Sequence, residues 1–196
     1  MTSDDITIHR GLTGVYFDRS ETTFIDGKEG VLEYRGYNIN ELAEHSTFEE
    51  TGYLLIHGKL PTQAELNEFD AELKAGRELP EQIFDVIELV KDSHPMDALR
   101  TAVSALAGFD PDRADNSAEA TIRKGNRLTS QVPAIVMAHH NIRQGKDPIK
   151  PSTTLNHAGN FLYMMDGNEP SSQAMNLMDK DFVLHADHGS NASAFT

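Results

Sequence analysis

The chain has 196 residues, with 31 Asp and Glu against 17 Lys and Arg, a formal charge of -14, 38% hydrophobic residues, and no Cys or Trp. This length allows one domain or slightly more, and the apolar content excludes wholesale disorder. Disulfides, a cysteine nucleophile and thiolate metal sites are excluded. The negative charge argues against unaided binding to nucleic-acid phosphates or anionic membranes. No run of 18 apolar residues is present to span a bilayer. The start MTSDDITIHRG is too acidic for a signal or transit peptide. These features describe a cytoplasmic protein, and the acid excess suits a saline cytoplasm.

The first forty residues alternate β-rich runs with turn residues. Val15-Tyr16-Phe17, Thr22 to Ile25 and Val31 to Tyr34 read as short strands, with Asp26-Gly27 and Glu29-Gly30 between the last two. An antiparallel ribbon of this size must pack on something else to be stable. Helical patterns follow. Ile39, Leu42 and Ala43 share one face. Thr47 and Thr62 each precede a helix as N-caps, with Glu50 and Glu65 in the capping-box positions. His57-Gly58 ends the first of these two helices. Leu66, Phe69 and Leu73 line the second.

Pro80 is expected in the first turn of a helix carrying Ile83, Val86, Ile87 and Val90. Met96, Leu99, Val103, Leu106 and Ala107 form the predicted apolar face of the next. Residues 109–117 read as a loop and 118–140 as a helix that Pro133 would kink or interrupt. After a loop at 145–151, a helix from Leu155 to Met165 ends at Asp166-Gly167. A last helix starts at Ser171 or Ser172 and is expected to run toward His188. The fold class is all-α with a short N-terminal β ribbon: residues 1–37 form the strand segment and 38–196 a helical domain.

The densest polar chemistry lies in His185-Ala186-Asp187-His188-Gly189-Ser190-Asn191-Ala192-Ser193. A continuing helix would put His185 and His188 on one face. Two imidazoles, a carboxylate, an amide and a hydroxyl suit a small anionic oxo-acid. His188 is placed to donate to a carbonyl or carboxylate oxygen, with Asp187 orienting or charging an imidazole. A metal site is not expected, because the helical His-x-x-x-His spacing and a third ligand are missing. His139-His140 suit a helix end, and Asp97 and Arg100 form a local ion pair. The chain lacks the glycine patterns of phosphate loops and dinucleotide folds. A chain that stops inside its richest segment is expected to be the first part of a longer protein.

Several segments resemble the citrate synthase family in that family's order. They are GVLEYRGYNINELA at 30–43, STFEETGYLLIHGKLPTQAEL at 46–66, HPMDALRTAVSAL at 94–106, NFLYMMDGNEPS at 160–171 and LHADHGSNASAF at 184–195. The resemblance covers nearly the whole chain and implies a largely helical homodimer that condenses oxaloacetate with acetyl-CoA. It implies a partial large domain here, cut before most of the small domain. It assigns oxaloacetate binding and catalysis to His188, substrate contacts to Asn191 and Ser193, and supporting places to His185 and Asp187. Gly189 stands where family members often carry an acidic residue.

The resemblance also implies that no cofactor is permanently bound, acetyl-CoA being a co-substrate, and that neither nucleic acid nor membrane is a partner. A second catalytic histidine, the catalytic aspartate, most of the CoA site and an arginine cluster are expected beyond residue 196, which leaves the 1–196 piece inactive. Two other readings stay open: a 2-methylcitrate synthase using propionyl-CoA, and a non-catalytic helical binding domain.

Overall fold

A computed structural model describes residues 14–15 and 19–189 of the chain. Three strands come first: β1 Thr23–Asp26, β2 Val31–Tyr34 and β3 Tyr37–Asn38. The helices follow: α1 Ile39–His45, α2 Phe48–His57, α3 Gln63–Ala75, α4 Glu81–Leu89, α5 Pro95–Leu106, α6 Ala118–Ile142, α7 His157–Asp166 and α8 Ser172–Leu184. The chain is therefore a largely helical domain carrying a small N-terminal sheet. Tyr16 and Phe17 of the first expected strand lie outside the described residues, and Val15 is in no strand.

The sheet is antiparallel in the order β1-β2-β3, with Thr23 opposite Tyr34 and Asp26 opposite Val31. The β1–β2 turn is held by Asp26, whose Oδ1 accepts from the amides of Lys28 and Glu29 at 2.9 and 3.1 Å. The two-residue β3 was not expected. Arg35 and Gly36 turn the chain between β2 and β3 with φ of 51° and 84°, the positive pair that suits the twist of a tight hairpin. Arg35 is held in this uncommon conformation by its guanidinium, which donates to the Leu55 carbonyl at 3.0 Å and ties the sheet to α2. Asn38 ends β3 and also caps α1, accepting from the Asn40 amide at 2.9 Å.

Both capping boxes are present. Thr47 Oγ1 accepts from the Glu50 amide at 3.2 Å while Glu50 Oε2 accepts from the Thr47 amide at 2.9 Å. The Thr62–Glu65 pair repeats the arrangement at the start of α3. Pro80 lies one position earlier than expected, at the N-cap of α4, with no side-chain bond. The deviation in α5 concerns its face. Ala98, Ala102 and Leu106 are buried, Leu99 and Val103 are half-buried against them, and Met96 is 64% exposed. Small alanines let α5 lie close to its neighbours, so the buried stripe is displaced from the one its larger residues suggest.

Helix α6 is the central element and packs on α3, α4, α5 and α7. Pro133 sits inside it without interrupting it, contrary to the strongest form of the expectation. Packing on four helices offsets the loss of one backbone donor. One core cluster joins Ile83 and Ile87 of α4, Ala102 and Leu106 of α5, and Ile135, Ala138 and Ile142 of α6. A second joins Tyr34 of β2, Ile39 and Leu42 of α1, Leu54 of α2 and Val183 of α8. The first cluster depends on complete exclusion of water from Ile87, which is 0% exposed. Ile87→Ala in the full-length protein is expected to lower stability by about 2–5 kcal/mol, measured by urea unfolding. A loss near zero would mean that α4 is not part of this core.

Candidate functional site

The predicted site lies where α8 ends. The helix stops at Leu184 with His185 as its C-cap, so His185 and His188 do not share a helical face, and that expectation is corrected. The reason is a long-range competitor for the terminal backbone groups. Tyr34 is 0% exposed, and its hydroxyl lies 3.1 Å from the carbonyls of both Leu184 and Asp187. It also accepts from the Asp187 amide at 3.3 Å. A buried phenol needs a partner, and so does a carbonyl that ends a helix. Each satisfies the other, and the chain leaves the helix to do so.

Asp187 turns toward the sheet. Its Oδ2 accepts from Thr22 Oγ1 at 3.2 Å and from the Thr23 hydroxyl. Its carboxylate is thus held by strand-side hydroxyls. His185 Nδ1 lies 2.8 Å from the Asp181 carbonyl and 3.5 Å from its carboxylate, with both side chains exposed. His188 is exposed, and its ring has no hydrogen bond among the described residues. Gly189 follows at φ +74°, a conformation that strains any residue with a side chain and favours glycine. Ser190, Asn191 and Ser193 lie outside the described residues.

Beneath α8 is a buried polar layer that periodicity did not flag. Asp179, 7% exposed, accepts from the Phe48 amide at 3.2 Å. Glu49, 5% exposed, accepts from the His157 amide at 2.7 Å. Each carboxylate thus caps the first turn of another helix, α2 and α7 respectively, where the helix dipole favours negative charge. Burial nevertheless raises the pKa of both acids. The Arg77 guanidinium is fully buried and donates to the carbonyls of Ser152 and Leu155 at 2.7 and 2.9 Å. Phe48 stacks on the His157 ring at 4.5 Å, and Phe182 of α8 meets both rings. A signal for Asp179 was available, since it lies at helical spacing from Met175 and Val183 on the apolar face of α8.

Other sequence candidates have local roles. His139 is buried with Nε2 3.1 Å from the Lys91 carbonyl, while His140 is paired with Gln144. Arg100 and Asp97 form their exposed ion pair at 3.1 Å. Among the described residues no cluster of three or more His, Asp or Glu side chains is arranged to hold a metal ion. None of their helices is long and apolar enough to cross a membrane. A groove of about 670 Å³ runs between α4, the end of α6 and residues 145–151, and its lining includes none of residues 184–189.

A domain of packed helices with a short antiparallel sheet, presenting a histidine segment just past the end of its last described helix, is the class these features define. Comparison with known proteins gives the family. A family model described as "Citrate synthase, C-terminal domain" matches residues 11–196. The citrate synthase of Deinococcus radiodurans is 49% identical over 190 residues, which are 96% of this chain and 50% of the relative. That of Haloferax volcanii is 45% identical over 96% of this chain and 51% of its own. The crystal structure of citrate synthase from Pyrobaculum aerophilum superposes with a TM-score of 0.90 at 38% identity, covering 96% of this chain and 49% of that one. A 2-methylcitrate synthase of Mycobacterium tuberculosis is less similar, 36% identical over 189 residues. The chain belongs to the citrate synthase family, and it spans about half the length of the relatives it matches.

The buried histidine beneath α8 sets a pH dependence. His157 is pushed down to about 4 from its ordinary 6.5, first by burial and then by the Arg77 charge. Between those values the unfolded chain binds a proton that the folded chain refuses. Stability present above pH 6.5 is therefore lost as the pH falls toward 4. The His157 contribution lost between pH 7 and pH 5 is about 2 kcal/mol. Glu49 and Asp179, both raised, act in the opposite sense. His157→Gln in the full-length protein should show a smaller drop in Tm from pH 7 to pH 5 than the parent, by calorimetry. An equal drop in both would remove His157 as the cause.

Proposed function

We propose that this chain supplies the amino-terminal half of a citrate synthase, a cytoplasmic homodimer that condenses acetyl-CoA with oxaloacetate and water to citrate and CoA. The observation that carries the reading is 49% identity to a citrate synthase across 96% of this chain, with His188 exposed just past the end of α8 and its ring without a hydrogen bond among the described residues. In this reading His188 donates a hydrogen bond to the ketone oxygen of oxaloacetate. The bond strengthens as negative charge develops there on attack by the enol of acetyl-CoA. Asn191 and Ser193 add neutral donors and acceptors for the substrate. His185, bonded to Asp181, and Asp187, bonded to the sheet, support the segment. Acetyl-CoA is a co-substrate, and no metal or permanently bound cofactor takes part.

The remaining groups belong to the other half of the full-length enzyme. An aspartate takes a methyl proton from acetyl-CoA, and a second histidine hydrogen-bonds the thioester oxygen as the enol forms. The basic groups that balance the two substrate carboxylates belong there too, since this half carries a formal charge of -14. The greater similarity to citrate synthases than to 2-methylcitrate synthases supports acetyl-CoA over propionyl-CoA as the acyl donor.

Thiol release from acetyl-CoA and oxaloacetate tests the reading. His188→Ala in the full-length enzyme is expected to lower kcat/KM for oxaloacetate by about 100-fold or more, with Tm within a few degrees of the parent. Parent-like turnover by that variant would end the assignment of His188. Residues 1–196 alone should release no thiol, and turnover by that piece would contradict the division of groups between the halves. Acetyl-CoA should outperform propionyl-CoA, and the reverse order would transfer the chain to the 2-methylcitrate branch.

A further inference from the structure

Among the described residues the exposed His188 ring has no hydrogen-bond partner. Where that imidazole sits therefore depends on what fixes the residue before it. Asp187 is fixed at three points by the sheet. Its amide donates to the Tyr34 hydroxyl, its carbonyl lies 3.1 Å from the same hydroxyl, and its carboxylate accepts from Thr22 and Thr23. The sheet is in turn tied to the core by the buried Tyr34 ring, packed among Ile39, Leu42, Leu54 and Val183, and to α2 by Arg35. The clamp joins residues 150 or more positions away in sequence to a segment one residue from the imidazole.

We propose that Tyr34, Thr22 and Thr23 are positioning residues for the 2-oxo acid substrate, acting through Asp187 to set the place and direction of the His188 imidazole. This rests on the reading of His188 as the group that polarises the substrate ketone. The charged carboxylate is the suitable anchor, because hydroxyl bonds to an ionised acceptor are stronger than neutral ones. Two adjacent donors, Thr22 just before β1 and Thr23 at its start, also fix its direction as well as its distance. A sub-ångström displacement of a hydrogen-bond donor weakens its bond to the developing oxyanion. The effect of loosening the clamp thus falls on the oxo-acid and not on the CoA ester.

The experiment uses the full-length enzyme. Tyr34→Phe keeps the packed ring and removes the hydroxyl. It is expected to raise KM for oxaloacetate about tenfold and lower kcat severalfold, with KM for acetyl-CoA within about twofold of the parent. In a His188→Ala background the same change should add almost nothing, because residues acting through one group are not additive. The Thr23→Val and Thr23→Ser pair gives a second readout should Tyr34→Phe fold poorly: serine should retain parent kinetics and valine should not.

A Tyr34→Phe enzyme with lowered Tm but parent KM for oxaloacetate would overturn the proposal, as would a parallel rise in both KM values. Equal kinetics for the serine and valine variants would also overturn it. Should His188→Ala itself prove fully active, the functional reading fails. Should His188→Ala be crippled while the Tyr34 and Thr23 variants behave as the parent, only the positioning role fails.

Discussion

A helix ends with carbonyl groups that no helical amide can reach, and at the end of α8 the partner is a phenol from the other end of the chain. Tyr34 is fully buried, so its hydroxyl needs a bond as much as the Leu184 carbonyl does. The two needs are met at 3.1 Å, and the backbone then leaves the helix with Asp187 drawn onto the sheet. The sheet is too small to be stable alone. Its stability comes from the core around Tyr34, Ile39, Leu42, Leu54 and Val183. The same contact therefore anchors the sheet, ends the last described helix and places His188.

The layer under α8 follows similar logic with charged groups. Burying a carboxylate is unfavourable unless its oxygens are bonded. Asp179 and Glu49 meet this condition at the N-termini of α2 and α7, whose first amides need acceptors. Arg77 does the converse for the carbonyls of residues 152 and 155. Burial still raises both acids and lowers His157, so this layer contributes less stability than its hydrogen bonds suggest. What it supplies is direction: polar groups with fixed partners hold α2, α7 and α8 in one mutual arrangement. The segment ending in His188 thus grows from a helix fixed both beneath and at its end.

Several elements were legible because their partners are neighbours in sequence. The Thr47–Glu50 and Thr62–Glu65 boxes close within one helical turn, and the Asp26 turn within three residues. The Asp97–Arg100 pair is equally local. The face of α5 was misread for a different reason: size suggests Met96, while close packing on α4 and α6 selects Ala98 and Ala102. Asp179 and Glu49 were passed over because a charge on an apolar face is explained only by the helix end it meets. The site segment itself was legible by composition and by family resemblance, but its geometry was not.

By itself the sequence determined the order of the helices, the capped starts of α2 and α3, the membership of the citrate synthase family and the identity of the histidine segment. All of these depend on local hydrogen bonds, on periodicity or on residue identity. The tertiary structure alone decided where α8 stops, which way Asp187 points and that His185 and His188 part company. Those outcomes turn on contacts between residues 150 or more positions apart. Local propensity favoured a continuing helix, and the chain left it where a buried hydroxyl and a helix-ending carbonyl satisfy each other.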